Sequence, residues 1–261
     1  MLAFWPEVVS PLLELLGPDD IVEIGSESGK TTRKLLEFAR EHDATVHAVD
    51  PAPQFDPDLL RKRFGEHFVL HRLPSLVALP AIARFDAVLI DGDHNWYTVL
   101  GELRLIEQLA LQRGHAPPLV LLHDIGWPYG RRDLYYDPEA IPAEHRQPWA
   151  RRGISLSQPE LLPEGGFNAQ LCNALREGGP RNGVLTAVED YLAETSQRFI
   201  FARIPAVFGL GILVPQPLAD ALPELARKVE AWTVPEIARF LDRLEMARLA
   251  MLVGDGGSGP Q

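Results

Sequence analysis

Hydrophobic residues along the chain fall in short runs, and segments with helical spacing separate these runs. The runs predict five strands, at 20–24, 45–49, 67–71, 85–90 and 118–123. Helical patterns lie between or after them, near 29–42, 56–65, 75–83 and 96–112. Because the strands show no polar alternation and helices separate them, they predict a parallel sheet covered by helices on both faces.

The pattern changes after the fifth predicted strand. Residues 125–180 are rich in Pro, Gly, Tyr and Arg and show little periodicity, which predicts an insertion that covers a substrate. A helix is predicted near 182–195, and the strands at 198–204 and 207–214 are joined so closely that they must pair antiparallel. Helices near 217–230 and 234–252 complete a single domain over 1–252, and a disordered tail is expected at 253–261.

Composition narrows the class of protein. The net charge of −11 disfavours a nucleic-acid partner, because tracking phosphates requires clustered Lys and Arg. The apolar N-terminus carries Glu7 and Glu14 and predicts an amphipathic helix, and the chain has no apolar run long enough for a membrane span. Cys172 is the only cysteine, so a disulfide framework is excluded and a cytoplasmic location is expected.

The turn after the first strand, "DIVEIGSESGKTT" at 20–32, has the look of a phosphate-binding loop. The triphosphate loop places four residues between its glycines. Gly25 and Gly29 enclose only three, and Glu27 would put a carboxylate inside the anion nest that Glu23 already borders. The dinucleotide pattern G-x-G-x-x-G also fails, since position 27 is not glycine. A P-loop NTPase is therefore the least favoured function.

The remaining pattern, E-x-G-x-x-x-G, resembles motif I of class I S-adenosylmethionine-dependent methyltransferases. Asp50 ends the second strand, where this family places the acid that binds the ribose hydroxyls, and "LPSL" at 73–76 resembles the turn beside the adenine ring. The resemblance implies a Rossmann-like fold with a mostly parallel, seven-stranded sheet and an antiparallel C-terminal hairpin. It also implies a set of cofactor-binding residues: Glu23, Gly25, Ser26, Gly29, Asp50, Ser75, Leu76 and Asp91.

Acids and histidines follow the fourth and fifth strands, in "LIDGDHNWY" and "LVLLHDIGW". Both strands end at the edge where α/β sheets bind ligands, and these side chains suit a divalent cation. The pattern resembles metal-dependent O-methyltransferases of the macrocin type, cephalosporin-hydroxylase-like proteins and, more distantly, catechol O-methyltransferase. The catechol enzyme's third protein ligand falls here on Ile125, so Asp93, His94 or His123 would have to replace it. The metal group that we predict from this resemblance, for Mg²⁺ or another divalent cation, is Asp91, Asp93 and Asp124.

Methylation of a hydroxyl requires alignment and removal of one proton. A divalent cation lowers the pKa of the hydroxyl, and a histidine can accept the proton. The predicted catalytic residues are Asp91, His94 and His123, with His94 favoured as the base. Residues expected to line the substrate pocket are Trp127, Tyr129, Tyr135, Tyr136, Trp149 and Phe167, and Arg131, Arg132 or Arg152 could bind an anionic group.

The predicted function is thus S-adenosylmethionine-dependent, metal-assisted O-methylation of a small molecule, such as a sugar or a secondary metabolite. Two alternatives stay open: a cofactor-binding scaffold without catalysis, and an enzyme that methylates nitrogen or carboxylate. The helices at 217–252 either pack on the sheet or form a homodimer contact.

Overall fold

A computed structural model describes residues 1–254. Within these residues, the strands of a large sheet are β1 (Asp20–Ile24), β2 (Thr45–Val49), β3 (Phe68–His71), β4 (Ala87–Ile90), β5 (Leu119–His123), β9 (Phe199–Ile204) and β10 (Leu210–Pro215), and three short strands, β6 (Leu134–Tyr135), β7 (Trp149–Arg151) and β8 (Cys172–Ala174), lie in the insertion. The large sheet has the strand order β3-β2-β1-β4-β5-β10-β9. The first five strands pair parallel, whereas β10 pairs antiparallel with both β5 and β9. The predicted Rossmann-like fold is confirmed, including the C-terminal hairpin.

Helices cover both faces of this sheet. The helices are α1 (Ser10–Leu16), α2 (Lys30–His42), α3 (Pro57–Phe64), α4 (Ser75–Ala78), α5 (Trp96–Gln112), α6 (Val184–Glu194), α7 (Gln216–Ala221), α8 (Pro223–Glu230) and α9 (Pro235–Gly254). Buried apolar side chains of α1, α2, α3 and α8 form one core, and those of α4, α5 and α6 form the other. Ile21 of β1 belongs to the first core and Val22 to the second, which explains why the strands are apolar without alternation. None of the helices within residues 1–254 is long and apolar enough to cross a membrane.

Several element boundaries differ from the sequence predictions. The predicted helix at 217–230 is two helices, because Pro223 begins a new helix after Leu222 leaves the helical conformation. The last strand begins at Leu210 and not at 207, since Val207 and Phe208 adopt positive φ angles of 47° and 67°. The helix α9 continues through Gly254, and the rest of the predicted tail lies outside the described residues.

The N-terminal segment is helical, as predicted, but its hydrogen bonding varies. A 3₁₀ turn (Leu2–Phe4) and a π-helical turn (Trp5–Val9) precede α1. Phe4, Val8, Val9, Leu12 and Leu13 are buried in the first core, so this segment packs against the sheet through its apolar side.

The insertion after β5 contains a second, small sheet. Its strands are β6 (Leu134–Tyr135), β7 (Trp149–Arg151) and β8 (Cys172–Ala174), in the order β6-β8-β7. Strands of two or three residues are too short to show a period in the sequence. The insertion is therefore more ordered than its composition suggested.

Buried polar contacts attach the insertion to the large sheet's helices. The carboxylate of Asp133 is fully buried and accepts hydrogen bonds from the backbone N–H groups of Trp96, at 2.7 Å, and Gly183, at 2.6 Å. Trp96 begins α5, and Gly183 directly precedes α6. The hydroxyl of Tyr135 donates to the same carboxylate at 2.7 Å. One acid thus holds the start of the insertion against two helices.

Candidate functional site

The site lies where β4 and β5 end side by side. Asp91 directly follows β4, and β5 ends at His123, immediately before Asp124. The register of the two parallel strands, with Ile90 opposite Leu122, brings these side chains to the same sheet edge. Asp124 has a positive φ of 59°, which is uncommon for a residue other than glycine. This turn of the backbone lets the neighbouring side chains of His123 and Asp124 converge on one point.

Asp91, His123 and Asp124 form a group that can hold a metal ion. One potential ligand atom from each of the three lies within 4.8 Å of the others. His123 Nδ1 is 2.8 Å from Asp124 Oδ2 and 3.2 Å from Asp91 Oδ1. Atoms that bind one cation at about 2.1 Å and at right angles are about 3 Å apart, so this spacing suits shared coordination.

His94 lies beside this group without a hydrogen-bond partner. Its Nε2 is 3.3 Å from Asp124 Oδ2 and 3.9 Å from Asp91 Oδ1, and its ring stacks on that of Tyr129 at 5.6 Å. Neither ring nitrogen makes a hydrogen bond of acceptable geometry within the described chain, although both are shielded from solvent. A buried polar atom without a partner is costly, and such atoms in native sites commonly face a bound group.

The charges in this group depend on one another. Burial disfavours the charged form of His123, but Asp124 and Asp91 outweigh this effect and raise its pKa to about 10. The pKa of His94 is also raised, because the attraction of Asp124 and Asp91 exceeds the effect of burial. Burial alone would raise the pKa of Asp91, yet His123 and His94 hold it well below its usual range. A protonated His123 imidazole thus offsets the negative charge of the two carboxylates, and a metal ion would replace that proton.

The predicted ligand Asp93 does not belong to the group that the described residues form. Burial raises the pKa of its carboxyl. His123 stands in its place with Asp91 and Asp124. The sequence analysis gave His123 only as one of three alternatives for the third ligand. The side chains of His123 and Asp124 converge because of the backbone conformation of Asp124, which the sequence pattern does not reveal. Asp93 as a metal ligand stays an untested prediction without support from this geometry.

The glycine turn after β1 contacts the end of β4. Gly25 has a φ of +85°, and a Cβ atom built there would overlap the backbone of Asp91 and Gly92. Only glycine fits both requirements. The buried carboxyl of Glu23 accepts a hydrogen bond from Thr32 Oγ1 at 2.6 Å, and burial raises its pKa to about 8. The turn and the candidate metal group are therefore parts of one site.

Asp50 stabilises this turn directly. Its Oδ2 accepts from the backbone N–H groups of Ser26, at 2.9 Å, and Glu27, at 2.8 Å, and from Ser26 Oγ at 3.1 Å. Its Oδ1 accepts from the backbone N–H of Ala52 at 2.8 Å. Gly29, at a φ of +71°, ends the turn against the ring of Phe55. The role of Asp50 toward a ribose stays a prediction, whereas its role in shaping the turn is visible here.

Ser75 and Leu76, the residues predicted beside the adenine ring, pack against α5. Ser75 Oγ donates a hydrogen bond to Glu102 Oε1, and the side chain of Leu76 lies so near Gly101 that a Cβ atom added there would come within 3.3 Å of it. Glu102 is fully buried, and burial raises its pKa to about 8. The burial of Glu102 was predictable from the sequence, since position 102 lies on the same face of the predicted helix as the apolar Val99. The sequence prediction overlooked this acid.

An aromatic cleft of about 280 Å³ opens above the acidic group. Three of the predicted aromatic residues line it, and Phe208 was not predicted. Its lining residues are Asp91, His94, His123, Asp124, Tyr129, Leu134, Tyr136, Phe167, Asn168, Leu171 and Phe208. Trp127 supports the wall from behind, with its ring 5.6 Å from that of Phe167. Tyr135 instead donates its hydroxyl to Asp133, and Trp149 lies on the strand β7.

The arginines proposed to bind an anionic substrate are engaged within the protein. Arg131 makes two hydrogen bonds to Glu189, at 2.6 and 2.7 Å. Arg132 is fully buried and donates to the carbonyl oxygens of Ala174 and Pro159. Arg152 donates to the carbonyl oxygen of Leu162 at 2.8 Å. None of the three is among the described residues that line the cleft, so the prediction that they bind an anionic group stays untested and has no support from this geometry.

The N-terminal segment reaches the same sheet edge. The α-ammonium group of Met1 lies 3.0 Å from Asp91 Oδ2, and the ring of Phe4 meets that of His123 edge-on at 5.9 Å. The segment thus forms one side of the site.

Residues 22–125 match the model of a family described as "Methyltransferase domain". A search of curated protein sequences finds no match. Among solved structures, the chain is similar to the Burkholderia thailandensis 1,6-didemethyltoxoflavin-N1-methyltransferase, with 18% identity, a TM-score of 0.46, and coverage of 79% of this chain and 74% of that one. It is also similar to the Podospora anserina methyltransferase PaMTH1 with bound S-adenosylhomocysteine, with 15% identity, a TM-score of 0.44, and coverage of 79% and 77%. Both similarities are distant, and the family model covers less than half of the chain.

Proposed function

We propose that this chain is a class I S-adenosylmethionine-dependent methyltransferase that methylates a hydroxyl group of a small molecule with the help of a divalent cation. The match of residues 22–125 to a methyltransferase-domain family and the strand order of the large sheet support the proposal. The acceptor binds in the aromatic cleft, next to the acids and histidines at the ends of β4 and β5. The observation that carries this proposal is His94, a buried imidazole that has no hydrogen-bond partner among residues 1–254 and lies beside a group of potential metal ligands.

The residues that would hold the cation are Asp91, His123 and Asp124. When bound, the cation would hold the acceptor oxygen and lower the pKa of its hydroxyl group. A donor set that combines two carboxylates with an imidazole suits Mn²⁺, Fe²⁺ or Zn²⁺ as well as Mg²⁺, which prefers oxygen ligands. The predicted preference for Mg²⁺ therefore widens to divalent cations of the first transition row.

The chain's own residues supply proton transfer and alignment. His94 Nε2 faces the space between Asp91 and Asp124, where it can accept the hydroxyl proton as the oxygen attacks the methyl group of the cofactor. The ring of Tyr129 stacks on His94 and fixes the plane of its imidazole. Tyr136 and Phe167 border the cleft and offer ring surfaces against which the acceptor can be aligned with the methyl donor.

The insertion at 125–180 supplies the cover of the acceptor. Tyr129, Tyr136, Phe167 and Asn168 reach the cleft from it. Asp133 anchors it to α5 and α6, so the cover is held in place by buried hydrogen bonds. A flat acceptor with neighbouring polar groups, such as a phenol or a sugar, matches a cleft lined by rings and a few amide or hydroxyl groups.

The test is the substitution His94→Ala, with the exposed His115→Ala as a matched control. We expect His94→Ala to lower the maximal rate of methyl transfer from labelled S-adenosylmethionine by about 10² to 10⁴-fold, as for other general bases. Affinity for S-adenosylhomocysteine, measured by calorimetry, should change little in either variant. A variant with a normal maximal rate and weakened cofactor affinity would refute the assignment of His94 as the base.

A further inference from the structure

The loop between β9 and β10 has an unfavourable backbone at the mouth of the cleft. Val207 and Phe208 have φ angles of 47° and 67°, a region that branched and aromatic residues rarely occupy. Such a conformation is unfavourable and persists only where the surroundings enforce it. It therefore calls for specific contacts that hold the loop.

Glu245 on α9 supplies those contacts. Its Oε2 accepts from the backbone N–H of Val207 and its Oε1 from that of Phe208, each at 2.9 Å. Arg248 donates two hydrogen bonds of 2.7 Å to the same carboxylate, and its guanidinium lies 4.5 Å from the centre of the Phe208 ring. Glu245 is 8% exposed, so these charge-assisted bonds are largely shielded from water.

The same loop contacts both the acceptor cleft and the segment after Asp124. The side chain of Phe208 lines the cleft, with its ring 6.0 Å from that of Phe167. Its carbonyl oxygen accepts from the backbone N–H of Gly126 at 2.6 Å, and a Cβ atom at Gly126 would leave no room for this contact. The position of Phe208 thus depends on a carboxylate outside the cleft.

We propose that Glu245 is a positioning residue for acceptor recognition, acting through Phe208. By satisfying two consecutive N–H groups, it fixes the left-handed backbone that places the Phe208 ring in the wall of the cleft. Arg248 holds the carboxylate in place and packs on the Phe208 ring. The proposal rests on the proposed function, because it assigns this cleft to the acceptor.

The experiment compares Glu245→Gln, Phe208→Ala and the double variant, with Glu236→Gln as the control. Glu236 pairs with Arg239 on the same helix at the same i, i+3 spacing, at 2.8 Å, but both side chains are largely exposed. The probe acceptors are catechol and methyl glucoside, and kinetics are measured with whichever is methylated faster. Hydrogen–deuterium exchange of the amides at 207–209 reports on the loop itself.

We expect Glu245→Gln to raise the acceptor KM by about tenfold, since it removes charge-assisted hydrogen bonds, while kcat and the KM of S-adenosylmethionine stay near wild type. Exchange at Val207 and Phe208 should accelerate in this variant and not in Glu236→Gln. Phe208→Ala should raise the acceptor KM to a similar degree, and the double variant should add little to either single one.

Two results would overturn the proposal. Unchanged exchange at Val207 and Phe208 would show that Glu245 does not hold the loop. Additive effects of Glu245→Gln and Phe208→Ala on the acceptor KM would show that Glu245 does not act through Phe208. If the wild-type enzyme methylates neither probe, the proposed function loses support, whereas the exchange measurement still decides whether Glu245 holds the loop.

Discussion

Glu102 gives the stability of this protein a defined dependence on pH. Its carboxyl is fully buried, and burial raises its pKa from 4.5 to about 8, partly opposed by the hydrogen bond from Ser75. Between these two values the folded chain keeps the carboxyl protonated, whereas the unfolded chain releases the proton. Stability from this group is therefore fully present below pH 4.5 and is lost as the pH rises through 8.

The substitution Glu102→Gln removes this dependence, because an amide of the same shape does not ionise. Each unit of pKa difference corresponds to about 1.4 kcal/mol, so we expect the variant to gain roughly 3 kcal/mol over wild type between pH 5 and pH 8. Near pH 5 the two proteins should differ by about 1 kcal/mol or less.

Urea unfolding at pH 5, 6.5 and 8 measures this difference. Glu23 has a pKa shifted in the same direction, so wild-type stability alone would not identify the group responsible. The difference between the variant and wild type isolates Glu102, and the exposed Glu41→Gln serves as the control. If the difference in unfolding free energy between the variant and wild type stays constant from pH 5 to pH 8, Glu102 is not the source of the pH dependence.

Two further substitutions test the frame of the site. Gly25→Ala should weaken S-adenosylhomocysteine binding by about 100-fold or more and lower the melting temperature, because a Cβ atom overlaps the backbone of Asp91 and Gly92. Calorimetry that finds wild-type affinity in this variant would show that the turn tolerates a side chain at position 25. Asp133→Asn should cost about 2 to 4 kcal/mol in urea unfolding, because an amide cannot accept all the hydrogen bonds that Trp96, Gly183 and Tyr135 donate. A loss smaller than about 0.5 kcal/mol would show that Asp133 does not anchor the insertion.

The sequence predicted the large sheet well because its signal is local. Strands buried on both faces must be apolar throughout, and the intervening helices repeat at their own period. The acids at the site were predictable for a related reason. A residue that follows a parallel strand lies at the ligand-binding edge, so Asp91 and Asp124 could be placed without knowledge of any contact.

Features that depend on distant parts of the chain were not predictable. Residues 207–208 read as strand, and the loop exists because Glu245, 37 residues later than Phe208, binds its N–H groups. His123 and Asp124 converge because one backbone angle breaks the alternation of a strand. The arginines of the insertion looked available for a substrate, but their partners, such as Glu189, come from elements that only the fold brings close.

Metal-assisted O-methylation is tested by measuring methyl transfer from labelled S-adenosylmethionine to catechol and methyl glucoside, before and after treatment with EDTA. We expect an O-methylated product, loss of methyl transfer with EDTA, and recovery of transfer when Mn²⁺ or Mg²⁺ is added back. The variant Asp124→Ala, which removes one ligand of the proposed group, should not recover at the same cation concentration. Methyl transfer that is insensitive to EDTA would contradict metal-assisted O-methylation. So would labelled methyl on nitrogen or carboxylate when acceptors with such groups are supplied instead.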